Sequence, residues 1–242
     1  MDRSAKSGGV LTASDDITRL TVNAFVSVLV ALVLKTSLDS FFRNATAYNG
    51  VLAAVSALIQ RGWLSLVLIS QLVIFLFTLV RFYIGSFRYH QKEPEITSGP
   101  TGMGIDLLGA FGVFVSFYVA AVFIKTTGLF YFGFALIQVV DLLWFYIAGA
   151  YLNLSEGIQK VAAWYVFFDG ITLVVLIIFF GLEYSRPWPS YFPQWMSLAA
   201  AFAIGIWDLL QLWPFYAGAS DWSNSVKDFP FSRQMLTLGK RR

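Results

Sequence analysis

Cysteine is absent from the 242-residue chain, and histidine occurs once, at position 90. The first absence excludes disulfides, thiol nucleophiles and thiolate metal sites. The second leaves nothing from which to build a multi-histidine metal centre or a serine–histidine catalytic pair. Charge is scarce too: Asp, Glu, Lys and Arg make up 13% of the residues, against about a quarter in a soluble domain. No lysine lies at the centre of an apolar stretch, so a retinal-type Schiff base is excluded. The run Gly99-Pro100-Thr101-Gly102-Met103-Gly104 lacks the lysine and the preceding strand of a phosphate-binding loop. The sequence therefore predicts no cofactor and no metal.

Apolar residues are plentiful: 57% of the chain is hydrophobic and 18% aromatic. A surface of that composition does not face water, and the chain reads as an all-α integral membrane protein. Six apolar stretches have the roughly 20 residues needed to span a bilayer. They are Leu20–Leu38, Leu64–Ser86, Gly104–Lys125, Leu129–Leu152, Val161–Glu183 and Trp195–Ala217. Residues 20–217 thus form one six-helix transmembrane domain, between a polar segment 1–19 and a basic tail 218–242 that reads as flexible. The segment Val51–Gln60 is apolar but too short to span, and is expected at the interface. The polar start shows no cleavable signal peptide, so the first span is expected to direct insertion.

Six spans place both termini on one side. Of the 17 Lys and Arg, only Lys35, Arg43, Arg61, Lys125 and Arg186 fall on the opposite side. The positive-inside rule then makes the termini cytoplasmic, in a plasma or inner membrane. The bilayer is the expected partner, with anionic lipid at Lys240-Arg241-Arg242. The net charge of +3 is explained by membrane edges and does not point to nucleic acid. A homo-oligomer is expected, because six helices enclose little space.

Acidic residues occur inside these stretches, at Asp141, Asp169 and Asp208, with Asp106 at the mouth of the third. A carboxylate at the centre of a span costs about 2.5–3.5 kcal/mol on insertion scales. Such acids persist when protonated, paired, or turned to an internal cavity. Arg81 lies in the inner third of the second span, so four acids and one cation fall in the cytoplasmic half. Helical spacing adds Gln138 one turn before Asp141 and Gln211 one turn after Asp208. Arg81 shares a stripe with Thr78, Gly85 and Gln71, and Asp169 with Tyr165 and Thr172. Asp106 begins a stripe of Gly109, Gly112, Ser116 and Ala120, suited to close helix contact. Arg81 reads either as a counter-charge for the acids or as a side chain snorkelling to headgroups. His90 reads as an exposed loop residue just beyond the membrane.

The even-numbered spans echo one another, with Phe82-Tyr83, Phe145-Tyr146 and Phe215-Tyr216 near their inner ends. Phe134-Ala135 precedes Asp141-Leu142-Leu143 much as Phe202-Ala203 precedes Asp208-Leu209-Leu210. This suggests three repeated helical hairpins, although matching aromatic anchors also arise from interfacial composition alone.

Intramembrane carboxylates ordinarily mark proton or cation handling. The leading expectation is a channel or transporter for protons or small cations that uses Asp106, Asp141, Asp169, Asp208, Arg81, Gln138 and Gln211. A non-transporting sensor or partner-binding subunit, whose polar cluster sets helix packing, is the second reading. An intramembrane aspartyl enzyme built on Asp141 and Asp208 is the third.

Overall fold

A computed structural model describes residues 13–42, 63–92, 100–152, 154–185 and 191–227. The short apolar segment Val51–Gln60 and the basic end at Lys240-Arg241-Arg242 lie outside the described residues. The described residues are all-helical, in the order α1 (Ala13–Phe41), α2 (Trp63–Lys92), α3 (Pro100–Val122), α4 (Thr127–Tyr151), α5 (Glu156–Ser185), α6 (Tyr191–Gln211), α7 (Trp213–Ala217) and α8 (Trp222–Ser225). In a bilayer the backbone must satisfy its own polar groups, and long apolar segments do so as helices.

Helices α1 to α5 are long and apolar enough to cross a membrane, over Leu20–Phe41, Leu66–Gln91, Gly104–Val122, Gly128–Gly149 and Glu156–Leu182. This makes the chain a polytopic membrane protein. The stretch expected as a sixth span is not among the five. Its helix, α6, has 21 residues, but Gln194, Asp208 and Gln211 dilute its apolar character. It also stops earlier than expected. The chain breaks at Leu212, and α7 starts afresh with Pro214 at its first turn. Proline has no N–H to continue the ladder, and its ring clashes with the preceding turn.

Helix α7 ends in a Schellman turn. The Ala219 N–H donates to Pro214 O at 3.0 Å and the Gly218 N–H to Phe215 O at 3.1 Å. Gly218 adopts the left-handed conformation this requires, at φ 74°. The chain then folds back on α5 rather than leaving as a free tail. Trp222 is buried, Gly157 leaves room for its ring, and Trp164 Nε1 donates to Lys227 O at 2.9 Å. Residues 218–227 are therefore packed; those after Lys227 lie outside the described residues.

The six long helices contact one another in a closed circuit, α1–α3–α4–α5–α6–α2, and α2 also reaches across to α3 and α4. The pairs α3/α4 and α5/α6 follow chain order around this circuit, whereas α1/α2 are set in the reverse order. The arrangement is thus not a simple threefold array of hairpins.

Two apolar clusters fill the bundle. One gathers Val67 to Leu79 of α2, Ala110 to Ala121 of α3, Phe130 to Ile137 of α4, Leu176, Leu198 and Ala201. The other gathers Tyr89, Ile158 to Phe168 of α5, Leu212, Phe215, Tyr216 and Trp222. Between them, Arg81, Asp141, Asp169 and Asp208 fall at one level. Each is flanked along its own helix by one cluster on one side and the other beyond.

Helices α3 and α4 are joined by the tight turn at Phe123–Thr126, which sets them antiparallel. Their backbones come close at Gly133, where a methyl group would lie 2.8 Å from Ala120 Cα and N. Because that obstacle is backbone, Gly133→Ala is expected to overpack the pair and lower stability by about 1–3 kcal/mol. Gly128→Ala, with nothing within 4 Å, should cause no loss. Thermal unfolding of the two variants in one detergent checks the contrast.

Candidate functional site

Arg81 projects from α2 into the bundle, with only 11% of its side chain exposed. It does not snorkel. Its Nη1 lies 2.6 Å from Asp208 Oδ2 on α6, and its Nη2 lies 3.4 Å from Asp169 Oδ1 on α5. One planar guanidinium thus ties three helices, a geometry its fixed fork of donors suits better than an ammonium would. Tyr216 on α7 donates to the same Asp208 oxygen at 3.0 Å, and Tyr165 on α5 donates to the Tyr216 hydroxyl at 2.8 Å. The Tyr165 ring also lies 6.0 Å from the guanidinium carbon, within reach of a cation–π contact.

Asp141, from α4, stands with Arg81 and Asp169 in the wall of one cavity. Asp208 makes its contacts with Arg81 and Tyr216 and not with Asp141, the partner expected for it. Sequence distance is the reason: helical spacing orders residues along one helix but leaves open which acids meet across helices.

The tyrosines reach these positions because α2 is bare at Gly85, one turn after Arg81. A side-chain carbon there would lie 2.5 Å from the Tyr165 hydroxyl oxygen and 3.5 Å from the Tyr216 ring. Tyr165 is held further by stacking on Phe145 at 5.3 Å between centroids. The break after Gln211 does the rest, swinging Tyr216 back towards Asp208.

A cavity of about 40 Å³ adjoins the cluster, with Arg81, Gln138, Asp141 and Asp169 in its wall. A single water centre needs about 10–15 Å³, so the space holds roughly three waters. Most of the remaining wall is apolar or aromatic, including Phe82, Phe117, Phe145 and Phe215. Buried oxygens are left without hydrogen-bond partners at Asp141 Oδ1, Asp169 Oδ2, Asp208 Oδ1 and Gln138 Oε1. Buried polar atoms are ordinarily satisfied, so these four oxygens stand as open acceptors.

Two expected members lie elsewhere. Gln211 is half-buried and is not part of the cavity wall. Asp106 is buried on α3, where its Oδ2 lies 3.6 Å from His90 Nε2. His90 is itself buried within α2, which corrects the expectation of an exposed loop histidine. The helix continues through Lys92, and His90 Nδ1 lies 2.7 Å from Ser86 O. A carbonyl can only accept, so Nδ1 carries the proton and Nε2 is the nitrogen turned to Asp106.

The three echoed tyrosines occupy unlike places: Tyr216 binds Asp208, Tyr83 meets Ser27 Oγ at 3.2 Å, and Tyr146 is exposed. Tyr216 is the site residue that sequence reasoning treated as an anchor. The signal that could have found it is Pro214, which marks a turn beside Asp208. Among the described residues, no group of three or more metal-ligating side chains is present. The chain matches no family model, no curated protein and no solved structure.

Removing Arg81 would strand buried carboxylates, a loss of about 3–5 kcal/mol where a buried pair is broken. Arg81→Gln is therefore expected to unfold at much milder denaturant, and Asp208→Asn in the same chain to recover part of the loss. A double-mutant cycle on unfolding in micelles measures the coupling.

Proposed function

We propose that this protein carries protons or small monovalent cations across the membrane, with Asp141 and Asp169 as the loading site and Arg81–Asp208 as its fixed support. The observation that carries this reading is the unequal treatment of the three acids. Asp208 is committed to Arg81 and Tyr216, whereas Asp141 faces a cavity and keeps an unpartnered oxygen. Arg81 balances one of the three carboxylates, so when one proton is held by the other two the four groups carry one excess negative charge. One further proton or one monovalent cation neutralises it, and the low dielectric of the bundle makes neutrality strongly favoured.

The polar layer is closed off along the bundle on one side by Phe75, Phe117, Phe130 and Phe134, each at most 2% exposed. This supports alternating access around an internal site over a standing water-filled pore. The proposed orientation has both termini cytoplasmic and α6 as the sixth crossing, which puts the Arg81 layer nearer the cytoplasm. At about 1.5 Å per residue, the 21 residues of α6 are just long enough for a ~30 Å hydrocarbon core. The cavity lies within one chain, so transport needs no symmetry axis even if the protein forms a homo-oligomer.

A second reading is favoured by one observation: Arg81 and Tyr216 join α2, α5, α6 and α7, as a polar cluster serving only helix packing would. Flux through reconstituted liposomes separates the two. Asp141→Asn, which leaves the Arg81–Asp208 pair intact, is expected to lower proton or cation flux at least tenfold while thermal stability changes little. Wild-type flux in Asp141→Asn/Asp169→Asn would overturn the transport reading.

A further inference from the structure

The unpartnered atoms in the cavity wall are informative in kind as well as number. Asp141 Oδ1 and Gln138 Oε1 are both acceptors, both in side chains at least nine-tenths buried, and both in the wall of the same cavity. They stand one turn apart on α4, on a common face. Trp144 Nε1, in the same wall, is an unpartnered donor, but it lies over Gly109 of α3 and reaches neither acceptor. Arg81 is already engaged by Asp208 and Asp169. Neither acceptor is met by a donor of the protein.

The remaining wall narrows the class of donor. Phe82, Phe145 and Tyr165 present aromatic surface to the cavity. A bare alkali ion gives up its hydration shell only where a ring of oxygens replaces it, and aromatic carbon supplies none. A cation with N–H bonds needs fewer oxygens, and the negative faces of aromatic rings attract it. Size sets the upper limit. Space for roughly three waters accommodates ammonium or a primary amine of one or two carbons, but not a bulky amine.

We infer that the cavity beside Asp141 binds a small primary ammonium ion, its N–H groups donating to Asp141 Oδ1 and Gln138 Oε1 and its alkyl end resting against Phe145 and Phe82. This rests on the reading of Asp141 as a loading site and names the substrate class for it. The cation's single charge offsets a carboxylate that the one guanidinium, Arg81, leaves unbalanced.

The test is saturable binding of methylammonium to the full-length protein in detergent, followed by tryptophan fluorescence and by the unfolding midpoint. Sodium, potassium and tetramethylammonium at matched ionic strength serve as comparisons. Methylammonium is expected to saturate and to raise the midpoint; the metal ions lack N–H donors, and tetramethylammonium lacks both the donors and the fit. Asp141→Asn should weaken binding at least tenfold. Gln138→Leu should do the same with the fold retained, because it removes a buried amide whose carbonyl is unpartnered instead of stranding a charge.

No saturable response to methylammonium, an equal response to sodium or potassium, or full binding by Gln138→Leu would each overturn the inference. Liposome flux keeps the two ideas apart. Methylammonium binding without any flux would sustain the site and defeat the transport reading. Proton flux without methylammonium binding would defeat the site and leave transport standing.

Discussion

The contact between Arg81 and Asp208, 2.6 Å long and almost wholly buried, is the constraint on which the rest of the bundle is arranged. Charges taken out of water must be paired with good geometry, or the desolvation cost prevails. Arg81 meets that demand with a second carboxylate, Asp169, and an aromatic face, Tyr165. Helices α2, α5 and α6 are thereby held at one level and one rotation. The break at Leu212 serves the same end, because only a turned-back α7 lets Tyr216 donate to Asp208. Gly85 completes the arrangement by leaving room for both tyrosines.

Above and below that level the physics is simpler. Two apolar clusters close the bundle, and small residues set how near its helices come. Gly133 against Ala120, Gly109 under Trp144 and Gly205 beside Phe77 each allow an approach that a side-chain carbon would block. Close backbone packing of this kind replaces the hydrophobic drive that helix association in lipid lacks. Hydrogen bonds add ties away from the polar layer. Tyr131 donates to Gln194 O at 2.6 Å, and Ser197 donates to the Tyr131 hydroxyl at 2.9 Å. The polar layer thus lies between two apolar clusters, and Gln71 and the Asp106–His90 pair are further buried polar groups away from it.

Much of this was legible in the chain. Apolar length alone located the long helices, since a backbone in lipid has few alternatives. The cost of intramembrane charge singled out Arg81, Asp141, Asp169 and Asp208, and the i, i+3 relation added Gln138. The Asp169 stripe already contained Tyr165. Other readings failed for identifiable reasons. Asp106 lies on α3 at the level of His90, more than two turns along α2 from Arg81, and it faces that histidine instead. His90 was read as a loop residue because the Pro- and Gly-rich stretch begins nearby, yet α2 runs on through Lys92. The echoed tyrosines show the limit of a sequence match: Tyr83, Tyr146 and Tyr216 align and yet have different surroundings.

The sequence by itself determined the solvent this protein lives in, the class of its secondary structure, and which residues are too costly to be incidental. Those follow from composition and from periodicity along single helices, where each residue carries its own transfer cost. Which charge neutralises which, and which acid is left facing a cavity, was decided only by the tertiary structure. Pairing depends on the rotation and contact order of helices far apart in the chain, and no local pattern encodes it. Asp208 and Asp141 look alike in sequence, each a carboxylate followed by two leucines. Only the packing makes one a fixed partner of Arg81 and the other an open acceptor.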